Sequence, residues 1–155
     1  MDPPSESFRI DSLMRRHFIV VEPEDSVEDV LRLMALARVR ILPVVSRGVL
    51  VGIVGYRTLA LFLLRSAAAL EYDGSGASSI ATLMEPPRGT VPAEAPTETA
   101  ARQLCESGHG CVPVVEPGEG GLRIVGLVTE NDLLEAAYRA RPCETGPTPV
   151  PLTPA

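Results

Sequence analysis

Ile10, Leu13 and Met14 recur as Ile80, Leu83 and Met84, and Leu42-Pro43-Val44-Val45 recurs as Val112-Pro113-Val114-Val115, both 70 positions later. Between these landmarks Val27, Val30, Leu31 and Met34 fall opposite Thr97, Ala100, Ala101 and Leu104, so each copy places a mostly apolar i, i+3, i+4, i+7 stripe on a helix. Past the second landmark the offset grows to 74, from Gly52 to Gly126, because the loop at 116–121 is four residues longer than its counterpart. A length change confined to a turn is what a structural repeat tolerates. The chain therefore has to fold as two copies of one supersecondary unit, packed together.

Each copy reads strand, helix, strand, strand, helix. In the first, Asp11 is a cap for a short helix ending near Arg16, residues 18–21 form a short strand, and Ser26 with Asp29 opens a helix running to about Arg38. Apolar runs at 41–45 and 49–54 flank Ser46, Arg47 and Gly48, a hairpin signal, and Pro43 and Pro113 are expected at the starts of their strands. The following helix, 58–70, is more apolar than a surface helix should be, yet too short to span a bilayer. It is expected to bury against its repeat partner or another chain. The second copy ends in a helix at 133–139. The resulting division is a flexible lead at 1–9, repeats at 10–70 and 80–140, a linker at 71–79, and an extended proline-rich tail at 141–155.

At 155 residues the chain fits one compact module with no room for a separate catalytic domain. A net charge of −6 argues against a nucleic-acid surface, which needs clustered Lys and Arg, and the run Arg15, Arg16, His17 reads as the solvated end of a short helix. The first residues have neither the cationic start nor the apolar core of a secretory signal, so a cytoplasmic protein is expected. Three cysteines fit reduced thiols, with Cys105 on the helix stripe and Cys111 on a strand, both where small buried residues belong. His109 and Cys111 alone make no metal site, and neither His17 nor His109 is oriented toward a nucleophile, so no enzyme is expected.

The functional signal lies at Gly126-Leu127-Val128-Thr129, a buried strand passing into a helix at Glu130-Asn131-Asp132-Leu133. Gly126 leaves room for a close neighbour, and Thr129 stands where the first helical N–H groups point outward, a geometry that suits an anion. Thr129 and Asp132 are also spaced as a capping box.

Leu13-Met14, then Ser26, Val27, Asp29, Val30 and Met34, then Leu42 to Val45, then Val51-Gly52-Ile53-Val54 form an ordered pattern that resembles the cystathionine β-synthase (CBS) motif, present twice over roughly residues 10–140. The resemblance implies a tandem CBS pair of the stand-alone type. Its fold is α/β (α+β), two β-α-β-β-α repeats related by a pseudo-twofold axis. Such a pair is a regulatory module that binds an adenosine-containing ligand and is not itself an enzyme. AMP, ADP or ATP leads, with S-adenosylmethionine or NAD as further candidates, and no metal is expected. Gly126, Thr129 and Asp132 match the family's nucleotide signature, in which the carboxylate accepts from both ribose hydroxyls while the Thr hydroxyl and helix-start N–H groups meet phosphate. By the same resemblance Thr90, Val91, Gly110, Cys111, Val112 and Pro113 form the adenine slot, with Gly108 and Gly110 allowing close backbone approach. The first copy departs from the signature, with Gly55 in place of Thr or Ser and Thr58 in place of Asp. Arg40 and Arg57 are candidates to reach phosphates across the pseudo-twofold, against the alternative of solvated cations. A homodimer through the apolar helices 58–70 and 133–139 is expected, with a separate regulated protein as partner, no nucleic acid and no membrane insertion. The rival reading is a ligand-independent dimerisation or scaffold module in which Thr129 and Asp132 are only a cap.

Overall fold

The computed structural model describes residues 8–68 and 78–140, so the expected tail, residues 1–7 of the lead and most of the linker lie outside the described residues. In chain order the elements are α1 (Val27–Ala37), β1 (Ile41–Ser46), β2 (Val49–Gly55), α2 (Tyr56–Ala68), β3 (Val91–Pro92), α3 (Thr97–Ser107), β4 (Cys111–Gly118), β5 (Gly121–Thr129) and α4 (Glu130–Ala140), with one-turn 3-10 helices at Ile10–Ser12 and Ile80–Thr82. β1 and β2 form an antiparallel hairpin, and β4 and β5 form another, joined along β4 by the parallel strand β3. The mixed α+β architecture and its two-fold repetition are those expected from the sequence.

Local chemistry accounts for the element ends. The Ser26 hydroxyl accepts from the Asp29 N–H at 3.1 Å and donates to the Asp29 carboxylate at 2.8 Å, closing the first turn of α1. α1 stops at Arg38, a left-handed residue with φ 55°, and α3 stops at Gly108, left-handed at φ 66°. In the first hairpin Arg47 and Gly48 both have positive φ, the requirement of a turn whose twist matches its strands.

Several expectations are corrected. Pro43 and Pro113 are the third residues of β1 and β4, not the first. They are tolerated because their partners bond elsewhere: Ile53, opposite Pro43, exchanges both backbone hydrogen bonds with Glu85, and Leu127, opposite Pro113, exchanges both with Arg15. The expected strand at 18–21 reduces to Val21, whose N–H donates to the Pro43 carbonyl at 3.1 Å and whose carbonyl accepts from Val45 at 2.8 Å. The short helix at Asp11 is a single 3-10 turn in which Asp11 lies inside and makes no cap. α2 and α4 each begin earlier than expected, directly at the strand end. The four extra residues of the second copy lengthen the hairpin itself, adding the pairs Pro117↔Leu122 and Gly118↔Gly121.

The core is divided in a way that positions the site. One apolar cluster gathers Val27, Val30, Met34, Leu42, Val44, Val54 and Leu59 from the first copy, together with Ile80 from the start of the second. The other gathers Val91, Ala100, Leu104, Val112, Val114 and Val128 from the second copy, together with Ile10 and Met14 from the start of the first. The opening segment of each copy thus crosses over and completes the core of the other. Backbone hydrogen bonds fix both crossings: Arg15 with Leu127 at 2.8 and 3.0 Å, and Glu85 with Ile53 at 2.8 Å each way. Glycine is required where they cross, since a Cβ on Gly126 would stand 2.6 Å from Met14 Sδ and 3.2 Å from the Arg15 carbonyl oxygen. On Gly52 it would meet Met84 Sδ at 3.1 Å and the Glu85 carbonyl oxygen at 3.0 Å.

Candidate functional site

β5 delivers Thr129 to the start of α4, and the first turn of that helix turns Asp132 back toward it. Asp132 Oδ2 accepts from the Thr129 N–H at 2.8 Å and from the Thr129 hydroxyl at 2.7 Å, while the Asp132 N–H points to Thr129 Oγ1 at 3.4 Å. The capping box is therefore real. Two features exceed a cap. Asp132 is only 8% exposed and is the buried charged side chain among the described residues. Its Oδ1 accepts from Arg15 Nε at 2.8 Å, across 117 positions of sequence, from the crossing segment rather than from its own copy. Arg15 is thus an ion-pair partner and not merely the solvated residue expected from the sequence.

The three-stranded sheet brings the other candidates of the second copy together. Cys111, Val112 and Pro113 lie opposite Thr129, Val128 and Leu127 on the adjoining strand, and β3, which begins at Val91 just after Thr90, pairs with the far side of β4. Val91, Cys111, Val112 and Pro113 are buried, and Gly110 has φ 72°, a backbone shape that favours glycine. Gly126 is absorbed by Met14 instead of facing open space. Arg40 and Arg57 lie in the first copy, at the β1 and α2 starts, where the Arg40 carbonyl accepts from Tyr56 N–H at 2.8 Å. Both are exposed, and the cation paired with Asp132 is Arg15.

A cavity of about 250 Å³ opens beside Asp132, between α4 and the first crossing segment, lined by Phe8, Ser12, Leu13, Glu135, Ala136 and Arg139. Of the residues expected to bind nucleotide only Asp132 reaches it. At this size it falls below the roughly 300 Å³ at which ligand pockets begin. His109 Nε2 stands 3.5 Å from Glu85 Oε2, and its Nδ1 is buried without a hydrogen-bond partner. No cluster of three or more His, Cys, Asp or Glu is placed to hold a metal among the described residues. No helix among them is long and apolar enough to cross a membrane.

A family model for the CBS domain matches residues 10–65 and 78–139, both copies and most of the chain. The chain belongs to the CBS domain family. Solved CBS structures share its fold. The CBS-pair protein CBSX2 from Arabidopsis thaliana is 27% identical, with a TM-score of 0.73 over 86% of this chain and 96% of that one. CBSX2 in complex with AMP is 29% identical, with a TM-score of 0.69 over 85% of this chain and 97% of that one. MJ1225 from Methanocaldococcus jannaschii, described as a putative archaeal homolog of γ-AMPK, is 28% identical, with a TM-score of 0.73 over 85% of this chain and 48% of that one. Among curated protein sequences none matches. The tandem CBS pair expected from the sequence is thus the fold of this chain.

The two described cysteines of the CBS pair differ, correcting the expectation that both are buried. Cys111 is buried, and that burial pushes its thiol up to about 11, whereas Cys105 on α3 is exposed. Alkylation by iodoacetamide at pH 8 should therefore label Cys105 quickly and Cys111 only as the protein unfolds, as peptide mapping after a time course will read. Because the unfolded thiol ionises first, Cys111 favours the folded state up to about pH 9 and loses that contribution as pH rises toward 11.

Proposed function

We propose that this CBS pair is a regulatory module that binds one adenosine nucleotide per chain, AMP foremost, at the second repeat. The observation that carries the reading is the buried carboxylate of Asp132, held in the first turn of α4 beside Thr129 and an arginine from the other half. The 29% identity to CBSX2, a relative solved with AMP, supports the ligand class. In this reading Asp132 accepts the ribose hydroxyls, Thr129 and the α4 N-terminus meet phosphate, and Thr90, Val91 and Gly110 to Pro113 take the base. Arg40 and Arg57 add positive charge from the first repeat. The first repeat, with Gly55 and Thr58 at the signature positions, binds weakly or not at all.

The module signals by differential affinity: a ligand seated against residues of both halves favours one relative arrangement of the repeats, which a partner protein reads. A thermal-shift series over AMP, ADP, ATP, S-adenosylmethionine and NAD tests the reading. The cognate ligand at one hundred times its Kd should add about 2.7 kcal/mol of stability. Calorimetry should count one site per chain. No shift with any of the five would leave the scaffold reading, in which Thr129 and Asp132 serve α4 alone.

A homodimer is part of the proposal. Leu64 is 68% exposed on α2 and Tyr138 75% exposed on α4, with Leu61 and Leu134 beside them, more apolar helix surface than an isolated module of this size leaves bare. Leu64→Glu, at a position outside the core, is expected to give a folded monomer by light scattering at tens of micromolar where the parent is a dimer. A parent chain that is itself monomeric there removes the claim.

A further inference from the structure

The crossing segment of the first repeat brings to Asp132 a residue that the second repeat does not supply itself. Arg15 is clamped to Leu127 through its backbone, and its side chain places Nε 2.8 Å from Asp132 Oδ1. The pseudo-equivalent crossing carries Glu85, clamped to Ile53 in the same way, toward a half that has Thr58 in place of the aspartate. The arginine and the aspartate therefore occur together in one half, while the matching positions of the other hold Glu85 and Thr58.

Counting acceptor places shows how they work together. A carboxylate offers about four, two on each oxygen. Three are in use on Asp132: Arg15 Nε on Oδ1, and the Thr129 N–H and hydroxyl on Oδ2. Once the Thr129 hydroxyl turns to a phosphate, one place stands open on each oxygen, matching the two hydroxyls of a ribose. Arg15 need not leave for the sugar to enter. Its bond to Oδ1 through Nε, together with the Thr129 N–H on Oδ2, instead holds both oxygens and so fixes the plane of the carboxylate.

We propose that Arg15, contributed by the opening segment of the first repeat, is a positioning residue for the ribose site of the second, orienting Asp132 to accept both sugar hydroxyls. This rests on the adenosine reading above. The test is calorimetry of the full chain with AMP and with 2′-deoxy-AMP, on wild type, Arg15→Gln and Arg15→Lys, with a thermal melt of each. Wild type should prefer AMP. Arg15→Gln should lose about tenfold in AMP affinity but much less in 2′-deoxy-AMP affinity, so that ribose discrimination shrinks. Arg15→Lys should restore part of that discrimination and stands in for Arg15→Gln if the latter melts early. An Arg15→Gln chain that keeps the wild-type ribose preference overturns the proposal, and one that binds AMP more tightly identifies Arg15 as a block on the site. A wild-type chain that binds neither nucleotide overturns AMP as the ligand of the proposed function and takes this inference with it.

Discussion

Ile10→Ala is expected to lower the unfolding free energy of the whole module by about 2–5 kcal/mol, although residue 10 stands near the start of the chain. Ile10 has no exposed surface and packs among Val91, Ala100, Val112 and Val128 of the second copy, while its N–H donates to the Ala95 carbonyl at 3.0 Å. Truncating it leaves a void bounded by strands and helices that cannot collapse to fill it. Chemical denaturation followed by circular dichroism checks the size of the effect. Its location is checked by hydrogen exchange, which should rise in β3, β4 and β5 more than in β1 and β2. Loss of protection confined to the first copy would mean that the crossing contributes little.

Asp132→Ala should weaken AMP binding by about tenfold to a hundredfold, the cost of roughly 1.5–3 kcal/mol for hydrogen bonds to a charged acceptor. Thr58→Ala, at the pseudo-equivalent position, should leave affinity nearly unchanged. Asp132 also closes the capping box of α4 and pairs with Arg15, so stability should fall as well, by about 0.5–2 kcal/mol for the cap. Calorimetry and thermal denaturation on the same preparation separate the two effects. A variant that melts earlier yet binds AMP as before would make Asp132 a cap and nothing more.

Legibility from sequence followed the range of the interactions. The duplication fixed in residues 10–14 and 80–84, the two helix stripes and the hairpin signals were local patterns, and they specified the repeat architecture and nearly every element. Thr129 and Asp132 were legible because a helix start has few chemical solutions. The partners were not. Gly126 signalled that something comes close, but only the fold names Met14 as the neighbour, because the contact spans most of the chain. Arg15 lay in a short charged run that reads as solvated, and its side chain is indeed half exposed while its Nε is committed to Asp132. The one available signal was asymmetry, since Arg15 and Glu85 occupy matching places with opposite charge. The prolines of β1 and β4 were misplaced for a similar reason: whether a strand residue needs its N–H depends on which neighbour its partner bonds, and that neighbour comes from the other half.

The longer second hairpin gives the module a direction. Its added turn carries Gly121 against Val49 of the first hairpin, where a Cβ would come within 2.6 Å of Val49 Cγ1, and no counterpart extension leaves the first hairpin. A pair of identical repeats would present the same outline after a half-turn, and a visiting protein could seat itself two ways. Here the rotated outline no longer matches, so the molecule has a front and a back.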